Sequence, residues 1–293
     1  ALIACLIPGL GRGTSDAISL GAAVLLLLTA SFLFAGVLAE GTRTLRVGAW
    51  VPPFGIVLVV DTLSALMLWI SAFVAMVVLM YGVRAKADED APGHLHVLLH
   101  GLMLGVNGSF LTGDLFNLYV WFEVMLMASF VLLALGGEKR QMMGALQYVA
   151  LNLIASTAFL IALGLLFGLV GTLNMADVAR QLPAAGQPAL AGTVCSLLLL
   201  AFGVKAAIFP VYVWLPSSYH TPPTVVKRMK PFSSMWLAIR PISSMWAATM
   251  IFWGFLAPWA GFFLTMRLPR ASMRISSARG STSARMTSRM AAS

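Results

Sequence analysis

Four polar side chains stand where a hydrocarbon interior is expected. Asn107, Glu123, Asn152 and Lys205 each lie well inside a long apolar run, and Glu123 falls near the middle of "GDLFNLYVWFEVMLMASFVLLAL", residues 113–135. An ionised side chain at the centre of a bilayer costs about 2.5–3.5 kcal/mol on insertion scales. Neither Glu123 nor Lys205 is close enough to a span end for an easy escape to water, although lysine has the longer reach. Both are therefore expected to face a bundle interior, near each other or near water. A carboxylate beside an ammonium keeps its charge, whereas a carboxyl alone in an apolar site takes a proton. A Glu–Lys pair that can separate is thus a proton switch, and amide side chains with trapped water can relay the proton between helices. The structural alternative is a neutral Glu123 bonded to neighbouring backbone as interhelical glue, with Lys205 as a counter-ion.

Further residues support a pathway. Pro210 follows Lys205 within the same apolar run; it removes a backbone donor and kinks the helix. Carbonyls freed by such a break must face protein or a water-filled cavity. Asp114, Asn117 and Tyr119 precede Glu123. Asp114 or Thr112 is placed to cap the helix, and Tyr119 lies one turn before Glu123 on the same face. Asp61, in "VVDTLSALM", reads as another helix cap.

The elements that must position these groups are membrane spans. The chain has 293 residues, 60% hydrophobic and 10% charged, against about 25% charged in soluble domains; its mean hydropathy is +0.91. Spans of roughly 20 apolar residues are expected at about 17–39, 57–82, 95–112, 115–135, 142–171 and 191–215, with residues 1–10 the end of an incomplete first helix. The fold class is an all-α, polytopic transmembrane bundle of about seven to eight spans, the seventh broken. The alternation of a β-barrel is missing from the sequence. Breakers such as "VPPFG" at 51–55 and "LPAAGQP" at 182–188 mark the connections. Arg12, Arg84, Lys86, Lys139 and Arg140 fall in one set of alternate loops and Arg43, Arg46 and Arg180 in the other, which places the first set in the cytoplasm.

Other chemistries find little support. Cys5 and Cys195 form no CxxC pattern, and His96 and His100 share a helix face without a third ligand. Neither cofactor nor metal is expected. The net charge of +9 resides entirely after residue 226, where no Asp or Glu occurs, so nucleic acid is not an expected partner.

"LTGDLFNLYVWFEVMLMASFVLLALGG" and "KAAIFPVYVWLPSSYHTPPTVV" resemble the antiporter-like subunits shared by Mrp-type sodium/proton antiporters and respiratory complex I, the D-type Mrp subunits above all. "FGIVLVVDTLSALML" at 54–68 is similar to their N-terminal region, and the resemblance runs from about residue 48 to 226. It implies an essential glutamate on the fifth helix, matched by Glu123. It also implies an essential lysine on the broken seventh helix, matched by Lys205, and a helix-breaking proline, matched by Pro210. His220, in the second motif, joins Asp114, Asn117, Tyr119, Asn107 and Asn152 as a supporting residue. The implied function is a membrane subunit of a multisubunit Na+/proton antiporter, a transporter subunit rather than an enzyme, in the bacterial cytoplasmic membrane. Its implied partners are other hydrophobic antiporter subunits, membrane lipid, protons and Na+. The alternatives are a proton-pumping subunit of an NADH–quinone oxidoreductase or membrane-bound hydrogenase, and a non-functional truncated fragment.

Three regions follow: N-terminal helices at 1–94, proton-channel helices at 95–226, and a divergent basic tail at 227–293 with a possible membrane segment at 245–266. The abrupt loss of acidic residues and of family pattern in the tail points to a shifted reading frame.

Overall fold

In the computed structural model, residues 12–50, 52–85, 95–134, 137, 139–209 and 211–215 are described. The expectations for residues 1–10, Pro210, His220 and the tail from 227 lie outside them. All described residues belong to one compact unit, residues 1–254. Seven helices follow in order: α1 (Arg12–Glu40), α2 (Thr62–Ala85), α3 (Leu95–Leu111), α4 (Leu115–Ala134), α5 (Lys139–Val170), α6 (Met175–Gln181) and α7 (Pro188–Lys205). Five of them are long and apolar enough to cross a membrane, and α3 is a shorter apolar helix. The helical membrane bundle expected from the sequence is therefore present.

Two local features differ from expectation. The run at 57–82 is not one helix: Val57–Val60 forms a strand, β2, paired antiparallel with β1 (Arg43–Arg46) in the register Arg43↔Val60 to Arg46↔Val57. A run of β-branched residues favours a pleated surface over a helix, and here it ends at the helix start that Asp61 marks. Asp61 Oδ1 accepts from the Ser64 backbone N–H at 2.7 Å, while Ser64 Oγ accepts from the Asp61 N–H at 2.8 Å, a reciprocal cap. The second difference is α6, which occupies part of the connection after α5. Asn174 caps it, its side-chain oxygen accepting from Ala176 and Asp177.

The loops on this face are tied together by backbone. Gly113 N–H donates to the Val57 carbonyl at 2.8 Å, and the Gly113 carbonyl accepts from Met175 N–H at 2.9 Å. Leu115 N–H donates to Leu173 O at 2.9 Å. A Cβ at Gly113 would stand 2.7 Å from Val59 Cγ2 and 3.1 Å from the Val57 carbonyl oxygen, so a side chain here would press on the hairpin. The hairpin, the entry to α4 and the entry to α6 thus share one face, as the alternating loop charges require.

Below that face α1 packs on α2, α3 on α4, α4 on α5, and α5 on α7. Helices apolar on every side show no preferred face in sequence, so close packing is decided by small residues and by pairs such as Ser71–Asn107. At α3–α4 the contact is set by glycines. A Cβ on Gly105 would lie 2.9 Å from the Met125 backbone nitrogen, whereas one on Gly101 would make an ordinary 3.7 Å contact with Ala128. Gly105→Val should therefore destabilise the bundle by about 1–3 kcal/mol through overpacking, seen as a lower thermal midpoint in detergent. Gly101→Ala should leave the midpoint unchanged.

Candidate functional site

Glu123 occupies the middle of α4, and Lys205 is the last residue of α7. The helix stops at the lysine, five residues before Pro210, so the break expected at the proline already begins at 205. The Lys205 ammonium donates to Ser156 Oγ on α5 at 3.4 Å and lies 4.8 Å from the centroid of the Phe122 ring. A cation within about 6 Å of an aromatic face is attracted by the ring quadrupole. Phe122 belongs to an aromatic group with Phe159 of α5 and Phe202 of α7; their centroids are 5.2–6.1 Å apart. Tyr119 adds to it, 6.2 Å from Phe159. Phe159 is fully buried, and Phe122 and Phe202 nearly so.

Glu123 lies near enough for its charge to act on Lys205, yet the lysine's close contacts are Ser156 and Phe122. The expected pair is present as neighbours rather than as a direct ion pair. Glu123 Oε1 is buried without a hydrogen-bond partner. A buried unsatisfied acceptor costs about 1–3 kcal/mol. The arrangement is a carboxyl group beside a lysine whose close contacts are a neutral hydroxyl and a ring.

The supporting residues divide. Asp114 and Asn117 come together at the start of α4: Asp114 Oδ1 accepts from Asn117 N–H at 2.8 Å, and Asn117 Nδ2 donates to Thr112 Oγ1 at 2.9 Å. Burial pushes the Asp114 carboxyl above the ordinary carboxylate range, against the pull of the Asn117 and Phe116 backbone donors. Asn107 Oδ1 accepts from Ser71 Oγ at 2.5 Å and ties α3 to α2. Asn152 Nδ2 donates to the Tyr148 carbonyl of its own helix at 2.9 Å, so it does not bridge helices through that group.

Sequence reasoning did not find Ser156, Phe159 or Phe202, because serines and phenylalanines recur on every face of these helices. It also did not anticipate the partners of the α3 histidines. His96 Nε2 and Asp16 Oδ1 lie 2.6 Å apart, and His100 Nε2 and Ser19 Oγ 2.8 Å apart, joining α3 to α1. The one available signal was Asp16 itself, an acid at the start of a span. Among the described residues no group of three His, Cys, Asp or Glu side chains gathers to hold a metal.

Fold and site together define a polytopic membrane protein with an acid and a base inside its helix bundle. Residues 112–266 match the family model described as NADH:quinone oxidoreductase/Mrp antiporter, transmembrane region, and the chain belongs to that family. The match continues past residue 226, where the recognisable motifs end. The chain is 38% identical over 211 residues to the D-type subunit of the Na+/H+ antiporter of Bacillus subtilis, covering 72% of this chain and 43% of that protein. Its fold is similar to a chain of the Mrp complex from Dietzia sp. DQ12-45-1b, with TM-score 0.65, 28% identity, and 84% and 46% of the two chains covered. It is also similar to a chain of the archaeal membrane-bound sulfane sulfur reductase, a respiratory membrane complex, with TM-score 0.69, 28% identity, and 76% and 45% covered. The chain thus spans less than half the length of these proteins.

The cap geometry separates two roles for Asp114. Asp114→Ala should lower stability by about 1 kcal/mol through loss of the cap, whereas Asp114→Asn keeps the acceptor and should hold the thermal midpoint. A midpoint that falls equally in both would assign the residue a charge-dependent role instead.

Proposed function

We propose that the chain is part of a membrane subunit of a multisubunit cation/proton antiporter, multi-pass in the bacterial cytoplasmic membrane. Glu123 is the proton acceptor and Lys205 its switching partner. The observation that carries this reading is the buried, unpartnered Glu123 Oε1 beside a lysine held only by Ser156 and the Phe122 ring. Isolated ionisable groups within a bundle are expensive and mark ion pathways. When Lys205 stands close, the carboxylate is tolerated; when the two groups separate, the acid takes a proton. The name of the Bacillus relative supports Na+ as the exchanged cation. Other hydrophobic antiporter subunits are the natural partners, with lipid around the apolar outer faces.

Residues 95–226 form the proton-handling region in this reading, and residues 1–94 brace it. Asp114 and Asn117 fix the start of the glutamate helix, Asn107 anchors the helix packed against it, and Tyr119 shares the aromatic wall. Pro210 and His220 support this reading through their place in the sequence motif after Lys205. Asn152, bonded along its own helix, serves packing.

A second reading, a proton-pumping subunit of a redox complex, draws support from the likeness to the archaeal respiratory complex. Co-purification separates the two: small hydrophobic partner subunits favour the antiporter, and flavin or iron–sulfur subunits favour the redox assembly. In vesicles bearing the assembled complex, Glu123→Gln should reduce pH-gradient-driven Na+ exchange to background without loss of complex. Exchange at the unsubstituted level would overturn the assignment of Glu123.

A further inference from the structure

The end of α7 is closed by a backbone turn of the Schellman type, and a side chain from beyond the break adds a further bond to it. In a continuing helix the Val204 carbonyl would accept from the N–H of Ile208. Instead, Ile208 N–H donates to Gly203 O at 2.9 Å, and Ala207 takes a left-handed conformation at φ +51°. A residue with a Cβ persists there only when its surroundings enforce it. Val204 O receives the Ala207 N–H at 3.1 Å and the Trp214 indole Nε1–H at 2.8 Å. Trp214 is 5% exposed and meets Tyr148 of α5 edge to face, with centroids 5.3 Å apart. Tyr148 OH and Ser129 Oγ of α4 lie 2.6 Å apart, and Ser129 follows Glu123 on the same helix. A continuous set of contacts therefore runs from the carbonyl next to Lys205, through Trp214 and Tyr148, to the helix of Glu123.

We propose that Trp214 is a positioning residue, a latch whose indole N–H holds the Val204 carbonyl and, with Tyr148, sets where Lys205 stands relative to the glutamate helix. The latch deepens the reading of Lys205 as a moving charge and rests on it. Lysine displacement requires the last turn of α7 to rewind or slide, and neither occurs while the Val204 carbonyl is tied to Trp214. Opening that bond loosens the turn, which is then held only by the Ala207 and Ile208 backbone bonds, and the edge-to-face contact with Tyr148 reports the change to α4. Trp214 touches neither ion nor proton in this scheme; it acts through the lysine.

The test reads the position of residue 205 directly and needs no transport. In the assembled complex, with Cys5 and Cys195 replaced by alanine, Lys205→Cys is alkylated by a small water-soluble maleimide, and Gln187→Cys, an exposed site just before α7, serves as the control. Trp214→Phe keeps the ring and removes the donor. It should raise the alkylation rate at 205 about tenfold, the equivalent of one hydrogen bond of roughly 1.4 kcal/mol, and leave the rate at 187 unchanged. Tyr148→Phe cuts the tie to Ser129 and should give a smaller rise at 205; it carries the test if Trp214→Phe fails to assemble. Unchanged rates at 205, or equal rises at 205 and 187, would overturn the latch, the latter marking general loosening. With Lys205 restored, Trp214→Phe should also shift the pH profile of exchange, which a purely structural loss would only scale. A positive alkylation result alongside normal exchange in Glu123→Gln would retain the latch and reject the transport assignment.

Discussion

Everything in this bundle depends on one electrostatic constraint: an ammonium at the broken end of a membrane helix must be made tolerable without being neutralised. Lys205 meets it through a long hydrogen bond to Ser156, the face of Phe122 and the nearby charge of Glu123. A tight ion pair would be more satisfying electrostatically and would be inert. Loose partners are what the proposed switch calls for. The close packing of Phe122, Phe159 and Phe202 supplies a low-polarity wall beside them.

The surrounding structure answers the mechanical side of the same constraint. A helix carrying a buried acid must not slide, and α4 is fixed at both ends. At its start, the Asp114 cap and the backbone ties to Val57, Leu173 and Met175 hold it to the hairpin face. Toward its other end, Ser129 engages Tyr148. Between these anchors, Gly105 and Gly108 let α3 approach closely, with Trp121 covering Gly108. The lysine side is built the opposite way, with a helix that terminates at the charged residue and freed carbonyls met by a single indole and a strained turn.

Much of this was legible in the sequence for a simple reason: charge in an apolar run is rare and expensive, so Glu123 and Lys205 stand out at once. Asp61 and Asp114 were legible as caps because short acids before apolar runs have few other uses. The motifs around Glu123 and Lys205 also carried the family resemblance that the comparisons bear out. The rest was hidden by uniformity. Helices that are apolar all round carry no phase, so nothing distinguished Ser156 and Phe202 from the other serines and phenylalanines until packing placed them. The hairpin was hidden because "VLVV" reads equally as strand or span, and hydrogen bonds to Gly113 and Arg43–Arg46 decide it. The break begins at Lys205, upstream of the proline that signalled it, where backbone bonds from Ala207 and Ile208 close the helix.

The central claim, that Glu123 and Lys205 form one electrostatic unit, is tested most directly by a double-mutant cycle on the thermal stability of the complex in nanodiscs. The four proteins are the unsubstituted complex, Glu123→Gln, Lys205→Met and the double variant. Glu123→Gln strands a buried ammonium, whereas the double variant leaves no charge behind. The double variant should therefore be more stable than Glu123→Gln alone, with a coupling of at least about 0.5 kcal/mol. Strictly additive effects would contradict the account, because they would mean that the two groups share a chamber without sensing each other.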